Sequence, residues 1–162
     1  MKPRFIAAIA LGLTTATLVS LPLTARADDK TTDYNYVGLG VGLGQLGSND
    51  LGLSINGKIT LADHVSLRPG VITAFNSSST GQTLVLAPIT YDIGGASSDG
   101  RLVPFVGAGV SVSTKGAGAV GPLLTAGADY RLTDKVVANG AVHWSLFGDS
   151  QVNGSIGLGY AF

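Results

Sequence analysis

The stretch Val152-Asn-Gly-Ser-Ile-Gly-Leu-Gly-Tyr-Ala-Phe162 runs to the last residue of the sequence and decides how the rest is read. In an extended chain, successive side chains point to opposite faces. One face then carries Val152, Ile156, Leu158, Tyr160 and Phe162, and the other Asn153, Ser155, Gly157, Gly159 and Ala161. An apolar face, a small or polar face and aromatic residues at the end suit a strand whose outer side meets hydrocarbon and whose inner side meets a narrow lumen.

Working backwards, the same two-residue period recurs, giving eight segments in all: 34–44, 51–61, 65–75, 83–93, 102–114, 122–132, 136–147 and 152–162. No helical period interrupts them, and clusters of Gly, Ser, Asn and Asp separate them. The first sets Val37, Leu39, Val41 and Leu43 against Gly38, Gly40, Gly42 and Gly44. The second sets Leu51, Leu53, Ile55, Ile59 and Leu61 against Gly52, Ser54, Asn56, Lys58 and Thr60. The fourth is the least regular, because Leu84 and Leu86 oppose the apolar face of Val85, Ile89, Tyr91 and Ile93. Membrane-crossing strands need about 9 to 11 residues, whereas ordinary strands average about 5 to 6. Length and even number therefore predict an all-β, eight-stranded antiparallel up-and-down transmembrane β-barrel.

The start of the chain fits export. Lys2 and Arg4 precede an apolar stretch interrupted by Thr14, Thr15 and Thr17, and Thr24-Ala25-Arg26-Ala27 has the small-x-small pattern of a cleavage site. This divides the sequence into a signal peptide over 1–27, a short N-terminal periplasmic segment over 28–33 and the barrel over 34–162. Without any Cys, neither a lipid-modified cysteine nor a disulfide framework is available. Beyond residue 27 the chain has seven basic residues and ten Asp, a formal charge of 7 − 10 = −3, which is no nucleic-acid footprint. Glu is absent and charge is sparse, as an apolar solvent would require.

Turn lengths suggest an orientation. Ala62-Asp63-His64, Thr133-Asp134-Lys135 and the stretch 94–101 are expected at the periplasmic end, and the links 45–50, 76–82, 115–121 and 148–151 at the outer end. Those outer links are short, which leaves little surface for adhesion. The aromatic residues Tyr34, Tyr36, Tyr91, Phe105, Tyr130, Tyr160 and Phe162 are expected in a girdle at one rim, with Phe75, Trp144 and Phe147 toward the other.

The signal peptide, the eight segments, the terminal Phe162 and the spacing of Gly154, Tyr160 and Phe162 resemble the small outer-membrane β-barrel superfamily of Gram-negative bacteria. That superfamily includes the OmpA transmembrane domain, OmpX and the opacity-type porin family proteins. The hairpins at 61–70 and 130–137 are similar to its periplasmic turns. The resemblance implies a monomer in the cell outer membrane, contact with outer-membrane lipid, periplasmic chaperones and the barrel assembly machinery as partners, and Gly154, Tyr160 and Phe162 as part of the assembly signal. It implies no cofactor.

Candidate chemistry is thin. Gly42-Leu-Gly44-Gln-Leu-Gly47 has the spacing of a dinucleotide fingerprint, but no helix follows to present its amides to a pyrophosphate. Small residues that leave room in a narrow lumen explain it better. Lys58, Arg68, Asp92, Asp129 and Arg131 fall on the inward phase together with His143, and are expected to form a paired lumen network rather than a charge-lined pore. His143 and Ser145, two apart on one strand, resemble the outer-membrane lipid A deacylases, whose triad an acid completes; the Glu that such a triad would take is missing. No residue group has metal-ligand spacing. The expected role is structural or envelope-integrity, extending at most to a narrow porin-like pore and non-enzymatic. A hydrolase using His143 and Ser145, or a soluble periplasmic ligand-binding barrel, are the alternatives.

Overall fold

The structure is a computed structural model that describes residues 32–43, 51–74, 82–94, 96–114, 118–147 and 150–162. Its strands are β1 (Tyr36–Leu43), β2 (Leu51–Ala62), β3 (Val65–Leu67), β4 (Gly70–Ala74), β5 (Gln82–Asp92), β6 (Leu102–Ser113), β7 (Ala119–Arg131), β8 (Val136–Leu146) and β9 (Ser150–Ala161). All neighbours are antiparallel, and β1 pairs with both β2 and β9, so the meander closes on itself. Closure leaves no free edge.

β3 and β4 are two halves of the expected third strand, which makes eight staves. Pro69 has no N–H and breaks the ladder there. The register nevertheless continues: Ile59 pairs with Leu67 before the break and Asn56 with Gly70 after it. The Gly57 amide still donates to the Pro69 carbonyl at 3.0 Å, and the Arg68 amide to the Pro88 carbonyl at 3.0 Å.

The two tight turns and the longer connection 94–101 lie together at one end, as expected. Between β2 and β3, His64 takes φ 61°, a left-handed conformation that His tolerates better than most side chains, and its ring stacks on Tyr91. Between β7 and β8, the Thr133 hydroxyl accepts from the amides of Lys135 and Val136. Between β5 and β6, the Ser97 hydroxyl and the Arg101 amide donate to Asp99, which holds that carboxyl below the usual range. The link 45–50, the expected signal peptide, Phe75 and Gly44 to Gly47 fall outside the described residues, and the links 76–82, 115–121 and 148–151 do so in part.

The wall is sorted as the alternation predicts. Val37, Leu39, Leu53, Ile55, Val106, Val110, Val142, Ile156 and Leu158 are exposed, while Lys58, Asp92 and Asp129 are fully buried. This inverts a water-soluble protein, and glycines allow close approach where strands and rings meet. Gly40 of β1 faces Gly157 of β9, where a Cβ on Gly40 would overlap the Ile156 carbonyl. A Cβ on Gly159 would sit 2.6 Å from the Tyr36 ring, so that glycine makes room for the ring to turn inward.

The aromatic girdle needs correction. Tyr160, Phe162, Tyr130 and Trp144 are exposed, but Tyr34, Tyr36 and Phe105 are buried in the lumen, and Phe147 packs against an inward apolar cluster. Tyr36 shares its phase with Gly38, and Phe105 with Gly107. Alternation overrides the tendency of aromatics near strand ends to seek the interface.

Candidate functional site

The inward side chains form a charged layer near the tight-turn end. Arg68, in the break between β3 and β4, lies at its centre. Its Nε donates to Thr90 Oγ1 at 3.0 Å, one terminal nitrogen to Asp129 at 2.9 Å and the Tyr36 hydroxyl at 3.3 Å, and the other to Asp92 at 2.9 Å. The guanidinium plane also rests on Phe105, 3.6 Å from the ring centroid. Lys58 Nζ pairs with the second Asp92 oxygen at 2.9 Å, donates to the Thr32 carbonyl at 2.6 Å and sits 3.7 Å from the Tyr34 centroid. Ser66 donates to Asp92 at 2.6 Å, and the hydroxyls of Tyr34 and Tyr36 to Asp129 at 2.8 and 3.1 Å.

Two cations thus meet two carboxylates with no net charge, and each charged group has several partners. A buried charge is tolerated only when it is paired and its remaining hydrogen-bonding positions are filled. The segment ahead of β1 completes the closure. Asn35 accepts from the amides of Thr60 and Phe162, which ties the chain to the ends of β2 and β9, and Thr32 is buried over Lys58.

Beyond this layer lies a chamber of roughly 30 Å³, reached by Asn56, Asn139, Thr125, His143 and Ser155. His143 contacts Thr125 Oγ1 at 3.0 Å through Nδ1 and Ser155 Oγ at 3.3 Å through Nε2. Asn56 donates to Asn139 across the lumen at 3.0 Å. Asn56 Oδ1, Asn139 Nδ2, Ser145 Oγ and Asn153 Nδ2 are buried without a protein partner. The chamber is large enough for a water and too small for most solutes.

Toward the other end, Ile72, Leu84, Leu86 and Leu123 close together with Phe147 against them. Leu84 and Leu86, the irregularity in the fourth segment, are this inward apolar layer. At the rim above it, Gln82 donates to Ser113 and Gln151.

Of the residues expected in the network, Lys58, Arg68, Asp92 and Asp129 come together. Arg131 stands apart at the rim, 3.9 Å from the exposed Asp134 and 5.5 Å from the Tyr34 centroid. His143 is inward but belongs to the chamber. It does not bond Ser145, and among the described residues no carboxylate contacts it. Gly154 is buried under Leu43, while Tyr160 and Phe162 project outward. Ser66, Thr90, Thr32, Tyr34, Tyr36 and Phe105 complete the charged layer without having been expected there.

No family model and no curated protein matches the sequence. Solved structures do match the fold. The attachment invasion locus protein Ail of Yersinia pestis aligns with a TM-score of 0.58 at 13% identity, covering 80% of this chain and 98% of that one. The N-terminal β-barrel domain of Pseudomonas aeruginosa OprF gives 0.59 at 18%, covering 78% and 97%. This chain has the fold of the small outer-membrane β-barrels. A chain from the de novo design of transmembrane β-barrels aligns as well, at 0.57 and 20% identity, covering 80% and 95%. A designed chain shares the architecture, so the fold alone assigns no activity.

Proposed function

We propose that this chain is an integral outer-membrane barrel with a structural role in the cell envelope, its lumen closed to solute flow. The belt of exposed aliphatic side chains supports immersion in lipid: burying it requires hydrocarbon, since water would face an apolar surface far larger than soluble proteins present. The observation that carries the closed state is the neutral, multiply bonded layer of Lys58, Arg68, Asp92 and Asp129, with the apolar layer around Leu123 as a second seal. The tight turns face the periplasm in this reading. The chain arrives there by its signal peptide, is held by periplasmic chaperones and enters the membrane through the assembly machinery, with Gly154, Tyr160 and Phe162 in the recognised strand.

The test combines extraction and recording. The protein should resist alkali extraction from membranes, migrate differently on gels before and after boiling, and give no steady current in planar bilayers. Release by alkali would remove the membrane assignment; sustained conductance would restore the narrow pore. The hydrolase alternative gains no support from the imidazole, whose contacts are with Thr125 and Ser155. His143→Ala should leave lipid A acylation unchanged.

A further inference from the structure

Three asparagines are followed by glycine, Asn56-Gly57, Asn139-Gly140 and Asn153-Gly154, and all three stand on the inward phase of a strand. Such a pair is chemically labile. The glycine amide nitrogen attacks Cγ of the asparagine and forms a C–N bond, while the side-chain nitrogen leaves as ammonia with the proton the amide gives up. Water then opens the succinimide at either carbonyl, giving aspartate or isoaspartate. In the closed barrel this step is blocked, because ring closure needs ψ to swing far from the extended value of about +135°. The Gly57 amide already donates to the Pro69 carbonyl at 3.0 Å. Gly140 is in register with Ala128 and Ile156, and Gly154 with Val142 and Leu43, so a strand clamps each from both sides.

At Asn139 the product would be harmful. This residue faces Asp129 directly across the β7–β8 ladder, and both are buried. A carboxylate at position 139 would repel Asp129 in a layer whose cations, Lys58 and Arg68, are already matched by Asp92 and Asp129. Isoaspartate would add an atom to the backbone and shift the two-residue alternation that sorts the wall. Packing does not explain the glycine that makes the site labile, since a Cβ on Gly140 would meet only the Ser155 carbonyl, at an ordinary 3.7 Å.

We propose that Asn139-Gly140 is a deamidation site open only before the barrel closes, and that its conversion bars the chain from assembling the charged layer. It thereby limits how long an unfolded chain stays competent to fold. Asn56 and Asn153 are exposed to the same chemistry in the same interval. In the outer-membrane reading that interval is the wait with periplasmic chaperones, and the inference rests on that reading only for where the wait occurs.

The experiment ages the full barrel chain at neutral pH, unfolded in urea and, in parallel, folded in vesicles, and follows each asparagine by peptide mass spectrometry. Asn139 should convert several-fold faster in the unfolded chain. When aged chain is returned to vesicles, converted Asn139 should be depleted several-fold from the fraction with heat-modifiable migration. Gly140→Ala should slow conversion at Asn139 in urea, leave that at Asn56 unchanged and fold in undiminished yield. Asn139→Asp should fold in lower yield than Asn139→Leu, which separates the added charge from the lost amide. Equal conversion in the two samples overturns the protection by closure, and aged chain with an acid at position 139 that folds as fully as fresh chain overturns its role as a bar. The same comparison in detergent reads the site independently of the membrane assignment.

Discussion

Near the tight turns Arg68 engages Asp92, Asp129, Thr90 and Tyr36 at once, whereas in the chamber Asn56 and Asn139 share one hydrogen bond and each leaves an amide atom unmatched. Both regions are polar, buried and crossed by bonds between distant strands. They differ in charge. An unmatched ion in a low-dielectric lumen costs several kcal/mol, while a neutral amide beside a water-sized chamber loses far less, since a water can complete its bonding. The charged layer therefore admits one arrangement, and the chamber tolerates several.

The largest effect should come from breaking the charged layer at its centre. Arg68→Met leaves Asp129 with two tyrosine hydroxyls and no cation, and should cost about 3–5 kcal/mol in urea unfolding of the lipid-reconstituted barrel. It should also admit current in planar bilayers if this layer is the principal seal. A loss below about 1 kcal/mol would show that the ion pairs are dispensable. The second seal gives a smaller figure. Leu123→Ala removes a side chain only 1% exposed from the apolar layer and should cost roughly 2–4 kcal/mol, the usual effect of a partly collapsed cavity. Bilayer recordings of the two variants then rank the seals directly.

Peripheral donors should matter less. Tyr34→Phe deletes one of the hydroxyls on Asp129, but Arg68 and Tyr36 remain, so a loss of about 1.5 kcal/mol is expected from the unfolding midpoint. A loss equal to that of Arg68→Met would make the tyrosine, not the ion pair, the support of Asp129.

Much of this was legible in the sequence, and the limits are physical. Phase assigns a side, and Lys58, Asp92 and Asp129, on the inward phase, are buried. Phase does not give depth. Arg131 has the same parity as Asp129 but, two residues nearer the turn, emerges at the rim. Nor does it give partners, because contact between Tyr36 and Asp129 depends on how strands 93 residues apart are staggered around the barrel. Tyr34, Tyr36 and Phe105 turn inward for a different reason: the two-residue period, which sets Tyr36 opposite Val37 and Phe105 opposite Val106, outweighs the preference of aromatic rings near strand ends for the interface. The split of the third strand falls at Pro69, but a missing donor alone does not foretell it, since Pro88, Pro104 and Pro122 lie inside continuous strands. His143 and Ser145 share a face, but adjacency on a strand is not contact, and the imidazole reaches across to β7 and β9 instead.

The smallest expected effect is the sharpest test of the contrast between the two polar regions. Replacing both Asn56 and Asn139 with Leu removes their mutual hydrogen bond and two unmatched amide atoms together. Because neither partner is left behind, the desolvation penalty that follows a single deletion is absent, and stability should change by less than about 1 kcal/mol in either direction. Asn139→Leu alone leaves the Asn56 amide nitrogen buried without its acceptor and should be worse than the double replacement, by about 1–2 kcal/mol. A double variant as unstable as Arg68→Met would mean that the chamber is held as tightly as the charged layer, and that its orphaned atoms are matched by firmly bound water.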